Sequence, residues 1–245
     1  MNKEWIEKLI SESSRLSVSI TADQAQRLST FSQMLAEYNQ HTNLVGSADA
    51  QRLLYDHVLD SLALLPIFER LHTKNNNLID IGTGAGFPGL PLAIANPDLK
   101  ITLVDATNKK IVFLESIVQA LNLSERVSVI NARAEELAHS KIYRASFDYA
   151  TGRAFGALPL VCELTLPFLR SGGHALLQRG SNQIENEKTM ADKIAAKLGA
   201  TFTESILLDR DVLNKDHYVL IFKQKKATQP NYPRLWKDIK ASPIF

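Results

Sequence analysis

The run Asn77-Leu-Ile-Asp-Ile-Gly82-Thr-Gly84-Ala-Gly86-Phe-Pro-Gly89 leaves this chain few folds to choose from. Leu78 to Ile81 is a short stretch rich in branched apolar residues, the composition of a buried strand. Three glycines at alternate positions then remove the side chains that would hold a turning backbone away from a ligand. Pro88 sits where its fixed φ suits a first helical turn, and Leu90, Leu92, Ala93 and Ile94 continue the helix. A second strand, Ile101-Thr-Leu-Val-Asp105, ends in an acid nineteen residues after Gly86. An acid at that place can accept hydrogen bonds from both hydroxyls of a ribose. Strand, glycine turn, helix, strand and acid together are the plan of a Rossmann-type nucleoside site.

The glycine spacing narrows the kind of nucleoside. A dinucleotide fingerprint, G-x-G-x-x-G, would need its third glycine where Phe87 stands. The run Asp80-x-Gly82-x-Gly84-x-Gly86 instead resembles the first motif of S-adenosylmethionine-dependent methyltransferases. That resemblance implies an α/β fold with the Rossmann-like sheet of class I enzymes. It also implies that Asp80 lies near the methionine end of the cofactor, that Gly82, Gly84 and Gly86 face it, and that Asp105 holds its ribose.

The flanking segments fit one such domain with additions. Residues 1–72 read as a helical extension: Trp5, Ile6, Leu9 and Ile10 form one face, and Leu28, Phe31, Leu35 and Tyr38 a second. Thr21 and Gln24 have capping-box spacing. A third helix carries Leu53, Leu54, His57, Val58, Ser61, Leu62 and Leu65. Its His57, Asp60 and Ser61 invite a hydrolase triad, but no oxyanion-hole turn accompanies them, and local hydrogen bonding or packing against the next domain is the better reading. Residues 73–226 alternate strands and helices, implying parallel crossovers. Strands are expected at Val127 to Ile130, Phe147 to Ala150 and Ala175 to Gln178, with Phe202 to Leu208 and Tyr218 to Phe222 as a closing hairpin. An acid just past the third strand, in Arg133-Ala134-Glu135-Glu136, could read an adenine amino group. Residues 227–245 form a basic tail in which Arg234, Lys237 and Lys240 mix with Tyr232 and Trp236, a composition suited to RNA by counterion release and stacking. That tail is expected to act on RNA and not on the cofactor.

Bulk properties exclude several classes. A net charge of +2 means that any RNA-binding surface must be local. One cysteine rules out an internal disulfide framework and a Cys-rich zinc site. The N-terminus mixes charges with apolar residues and no apolar run approaches eighteen residues, so neither a signal peptide nor a membrane span is expected, and the default location is the cytoplasm.

The acceptor is approached by elimination. Cys162, the one thiol, lies in the apolar run Leu158 to Leu164 and reads as core, against a pyrimidine-C5 mechanism. The Asn/Asp-Pro-Pro-aromatic signature of exocyclic-amine methylation is replaced by Thr151-Gly-Arg-Ala-Phe155. No lysine or metal set for a hydroxyl acceptor is evident. An acceptor that is already nucleophilic, such as guanine N7, fits what remains, and no catalytic side chain is required.

Asn43-Leu44, His57-x-x-Asp60-Ser61, the glycine run with Phe87-Pro88, Arg133-Ala134-Glu135, Arg153-Ala154-Phe155 and Tyr232-Pro233-Arg234 occur in an order that resembles the RsmG (GidB) family, bacterial small-subunit rRNA guanine-N7 methyltransferases. The resemblance runs over nearly the whole chain. It implies S-adenosylmethionine as cofactor, no metal, and 16S ribosomal RNA or the small ribosomal subunit particle as partner. By resemblance Gly82, Phe87, Ala134, Glu135 and Arg153 take cofactor-binding positions. Arg179-Gly180 replaces the family's frequent Lys-Gly, and Leu235-Trp236-Lys237 replaces a Lys/Gly/Pro-rich tail, so Arg179, Arg234, Lys237 and Lys240 are expected on RNA. Two alternatives remain open: methylation at another RNA site or acceptor, and a non-enzymatic RNA-binding assembly factor.

Overall fold

The computed structural model describes residues 1–244 apart from 72, 74 and 154, with the side chain of Gln183 also left aside. Ala154, His72 at the expected domain boundary and the terminal Phe245 therefore lie outside the described residues. Helices α1 (Lys3–Arg15) and α2 (Ala22–Thr42) lead the chain. The capping box of α2 forms as expected, Thr21 and Gln24 each bonding the other's backbone N–H. The third helical segment departs from expectation. It is continuous through α3 (Ala50–Arg52), a π-helical stretch Leu53–Leu59 and α4 (Asp60–Leu62). Apolar periodicity over seven residues cannot separate i→i+4 from i→i+5 bonding, so the widened turn was invisible in sequence. Helix α5 (Leu65–Leu71) closes the helical part.

The remainder alternates: β1 (Asn77–Ile81), α6 (Gly89–Ala95), β2 (Lys100–Asp105), α7 (Asn108–Ala120), β3 (Val127–Asn131), α8 (Ala134–Leu137), β4 (Phe147–Arg153), α9 (Leu158–Thr165), β5 (Leu169–Gly180), α10 (Ile184–Lys197), β6 (Ala200–Leu207), α11 (Arg210–Leu213), β7 (His217–Gln224) and α12 (Trp236–Ala241). The seven strands lie in the order β3-β2-β1-β4-β5-β7-β6, with β7 antiparallel to both its neighbours. The expected closing hairpin is thus present, and β7 inserts between β5 and β6. Strand β5 is longer than Ala175 to Gln178 because it runs from Leu169 through Gly172 and Gly173 to Gly180.

Successive residues of each strand enter opposite cores. Leu78 joins the cluster under the N-terminal helices, α6 and α7, whereas Ile79 and Ile81 join the one under α9 and α10. In β7, Val219 and Ile221 take the first side, Leu220 and Phe222 the second. Both faces being covered is why these strands read as continuous apolar runs and not as alternating ones. The strand order reverses between β1 and β4, which opens a crevice at the carboxyl ends of the parallel strands. The N-terminal helices are not a separate body: Phe31 of α2 packs on Phe87 in the loop after β1, ring centroids 5.2 Å apart.

Candidate functional site

At that carboxyl edge the backbone makes room before any side chain acts. Gly82 ends β1 at φ +65°, and a Cβ there would sit 3.0 Å from the Phe155 ring. Gly86 lies at φ +100°, where a Cβ would fall 2.4 Å from Leu90 and 3.1 Å from Leu114. Both positions demand glycine, for conformation and for space. The turn is clamped from beneath by Asp80, which is fully buried. Its Oδ2 accepts from Thr83 Oγ1 (2.6 Å) and from Gly89 N–H (3.0 Å), and its Oδ1 from Thr151 Oγ1 (2.9 Å). Burial raises its carboxyl to about pKa 6 against the pull of those three donors. Asp80 thus ties β1, the loop and β4 together under the crevice.

The pocket above the loop is lined by Gly82, Asp105, Ala134 and Glu135 among the sequence-designated residues, with Ile81, Phe155, Leu164 and Trp236 also in its wall. Asp105 is already engaged. Its Oδ2 accepts from Gly84 N–H (3.1 Å) and Lys110 Nζ (3.1 Å), its Oδ1 from Thr107 N–H (2.9 Å). A carboxylate offers about four lone-pair sites. The geometry therefore leaves room for one ribose hydroxyl, where the sequence suggested two. Glu135 is buried, and its Oε1 has no hydrogen-bond partner among the described residues. Arg133 Nη1 stands 3.6 Å away, too far to satisfy it. An unpartnered carboxylate oxygen in a pocket wall is costly unless something polar completes it.

Several designated residues fall elsewhere. Asp80, Gly84, Gly86, Phe87 and Arg153 do not line this pocket. Phe87 is buried and stacks on His57, centroids 4.8 Å apart. The Arg153 guanidinium lies over the Phe87 ring at 5.2 Å. It donates to Asp60 Oδ2 (3.0 Å), to the Asp56 carbonyl (3.0 Å) and to His57 Nδ1 (2.8 Å). His57 therefore carries its proton on Nε2. Burial first, and then Arg153, push the His57 pKa down to about 4. Asp60, wholly buried, also receives Gln178 Nε2 (3.0 Å) and His217 Nδ1 (2.5 Å). The partners of Asp60, chiefly His217 and then Arg153, hold its carboxyl below the usual range despite burial. Ser61 bonds the His57 carbonyl (2.6 Å), so the sequence trio is no triad. Cys162 is fully buried, and burial pushes its thiol far up, as expected of core and not of a nucleophile.

Two of the four residues expected on RNA are already paired. Arg179 makes a two-point ion pair with the buried Glu187. Arg234 embraces the buried Glu163 through Nε (2.9 Å) and Nη2 (2.7 Å), and its backbone N–H adds a third bond (2.8 Å). These arginines are counter-ions to buried carboxylates, a pairing that the expectation of RNA contact did not include. Lys237 and Lys240 remain exposed. The sequence overlooked His217 and Gln178, and it read Trp236 as an aromatic of the RNA-binding tail, whereas the structure puts it in the pocket wall.

A doubly covered sheet of this order with a glycine-lined crevice at its switch point is the class I S-adenosylmethionine-dependent methyltransferase fold. A 16S rRNA adenine-N1 methyltransferase from Catenulisporales acidiphilia, solved with the cosubstrate, superposes with a TM-score of 0.51 at 14% identity over 66% of this chain and 90% of its own. A transferase from Pyrococcus horikoshii gives 0.54 at 13% identity over 68% and 64%. Sequence comparison is more specific. The family model for GidB, rRNA small subunit methyltransferase G, matches residues 24–211. Ribosomal RNA small subunit methyltransferase G of Leuconostoc mesenteroides is 37% identical over 95% of both chains, and that of Alkaliphilus oremlandii is 37% identical over 89% and 90%. The chain belongs to the rRNA small subunit methyltransferase G family.

Proposed function

We propose that this protein transfers a methyl group from S-adenosylmethionine to N7 of a guanine in a loop of 16S ribosomal RNA. The observation that carries the reading is the pocket itself, bordered by Gly82, with one lone pair of Asp105 uncommitted and Glu135 Oε1 without a partner among the described residues. A nucleoside fits that acceptor set. The remaining lone pair of Asp105 suits a ribose hydroxyl, and Glu135 an exocyclic amine. Gly82 and Ala134 would border the same ligand. When bound, S-adenosylmethionine supplies an electrophilic methyl on a sulfonium sulfur.

The chain's own contribution is then positioning. Guanine N7 has an unprotonated in-plane lone pair near neutral pH, so no side chain need remove a proton before transfer. Holding two reactants in line can lower a barrier by roughly 7–11 kcal/mol. The groups nearest the glycine loop are suited to that and poorly suited to proton transfer. Asp80 is sealed beneath the loop, and His57 spends Nδ1 on Arg153. Arg153 is fixed by Asp60 and His57, and as a cation it is better placed toward a phosphate or a carboxylate than toward a sulfonium. The target guanine must be splayed from its helix, because the A-form major groove that carries N7 is too narrow for an enzyme.

The small ribosomal subunit particle or its naked RNA is the substrate, and a cytoplasmic location follows from it. Among the described residues no helix is long and apolar enough to cross a membrane. The decisive experiment incubates the protein with tritiated S-adenosylmethionine and small subunits lacking the modification. Labelled 7-methylguanosine in the digest is expected. Label in another nucleoside would reassign the acceptor. No label in RNA would leave a binding role in ribosome assembly.

A further inference from the structure

The C-terminal segment reads in sequence as an RNA-binding tail, yet its path is dictated by bonds that aim one residue at the nucleoside pocket. Arg144 donates to the carbonyls of Thr228 (2.8 Å), Gln229 (2.9 Å) and Tyr232 (2.9 Å), taking hold of the segment as it leaves β7. His139 Nε2 meets the Pro233 carbonyl at 2.8 Å. Tyr232 is buried, and Arg234 closes on Glu163, whose carboxylate is wholly inaccessible to solvent. Removing one partner of such a buried pair strands the other charge, so the anchor is stringent.

The anchor and the pocket share a turn of α9. Glu163 grips Arg234, and the next residue, Leu164, lines the pocket wall. Two residues beyond Arg234, Trp236 opens α12 and completes that wall beside Ala134 and Glu135. Trp236 is half-buried, with Arg133 and Lys240 at 5.9 and 5.8 Å from its ring. Ala134 and Glu135 lie past β3, on the far side of Asp105 from the glycine loop, which is where a base must project once Asp105 holds the ribose.

We infer that Trp236 is a cofactor-binding residue that contacts the purine of S-adenosylmethionine, and that Arg234 with Glu163 positions it there. An indole supplies a large, stiff apolar surface and favours offset or edge contact with another aromatic ring. The inference rests on the site assignment above and extends it to a segment expected to leave the cofactor untouched.

Trp236 reports on itself, because the other tryptophan, Trp5, lies in α1 within the core on the opposite face of the sheet. S-adenosylhomocysteine is the probe, and calorimetry and tryptophan emission are the readouts. In the wild type the probe should bind and change the emission, and Trp236→Phe should abolish that change while preserving most of the affinity. Trp236→Ala should weaken binding about tenfold with unaltered far-ultraviolet circular dichroism. Arg234→Met should weaken it in the same sense by misplacing the indole. An emission change that persists in Trp236→Phe, or equal affinity in wild type and Trp236→Ala, would overturn the inference and leave the site assignment standing. Failure of the wild type to bind the probe would overturn both.

Discussion

The two halves of the sheet's carboxyl edge are built on opposite plans. Past β1, β2 and β3 the edge opens into the pocket, and its two acids are left incomplete: Asp105 with a free lone pair, Glu135 with an oxygen that has no partner among the described residues. Past β4 and β5, and at the start of the antiparallel β7, the edge is roofed by the π-helical segment, and its charged groups are paired with one another, although Gln178 Oε1 is left without a partner among the described residues. Asp60 alone takes bonds from Arg153, Gln178 and His217. Acids left open on a pocket wall are what a ligand can be recognised by, whereas carboxylates and cations paired within a buried network hold a shape. We propose that the first half binds the cofactor and that the second holds Arg153 and Phe87 still at its border.

The hardest test of that contrast is Asp60→Ala. It leaves Arg153 without its buried carboxylate, and removing one partner of a buried pair typically costs about 3–5 kcal/mol. Urea unfolding should register a loss of that size. A change under about 1 kcal/mol would mean that water reaches the network and that the roof is not sealed.

On the open side the corresponding change is Asp105→Ala. Loss of hydrogen bonds to a charged acceptor should weaken cofactor binding by about 1.5–3 kcal/mol. Its stability cost should be smaller than that of Asp60→Ala, since Lys110 is part-exposed and can turn to solvent. Calorimetry giving an unchanged affinity would remove Asp105 from the cofactor site.

The two halves should also answer acid with opposite signs. His57 in the folded state titrates near 4, below its ordinary 6.5, so the unfolded chain binds its proton first and stability falls as pH drops through that window. Asp80 is raised from 3.8 to about 6, so the folded chain binds its proton first and stability rises as pH drops from 6 toward 3.8. His57→Gln removes the first effect and leaves the second. On moving from pH 7 to pH 5 the variant should therefore gain about 1–2 kcal/mol relative to wild type. Equal pH dependence of the two urea midpoints would sink the assignment of a neutral, buried His57.

How far the sequence reached follows the same division. The half proposed to bind was legible because its elements are local: a strand, glycines at fixed spacing, an acid closing the second strand and another just past the third. Gly82, Asp105, Ala134 and Glu135 all reach the pocket. Asp80 was assigned to the methionine end, but its partner Thr151 is 71 residues away and draws it beneath the loop. The roof was illegible for the same reason, since His217 lies 157 residues from Asp60. One signal went unread. Glu163 interrupts the apolar run Leu158 to Leu164, and a buried carboxylate needs a cation from elsewhere in the chain. That requirement points to an arginine such as Arg234 and would have turned the basic tail into a docked segment.

The smallest expected effect is an absence, and it bears on the chemistry. If the roof is structural and guanine N7 needs no deprotonation, the rate of the chemical step should not follow an ionisation. General-base catalysis would imprint one on the pH–rate profile. His57, the histidine stacked on Phe87 of the glycine loop, cannot supply it between about pH 6.5 and 8.5, because burial and Arg153 keep its pKa near 4. Asp80, at about 6, is sealed under the loop by Thr83, Thr151 and Gly89, so its titration can disturb the loop and cofactor affinity but not reach an acceptor. Saturating cofactor removes that influence. Single-turnover rates at saturating RNA and cofactor should then vary less than about threefold across the window, since an essential base titrating within it would impose close to tenfold per pH unit on its acid side. A tenfold rise that follows one ionisation, and that disappears in His217→Gln, would transfer the roofed half from holding a shape to moving a proton. It would make an amine or hydroxyl the acceptor in place of N7.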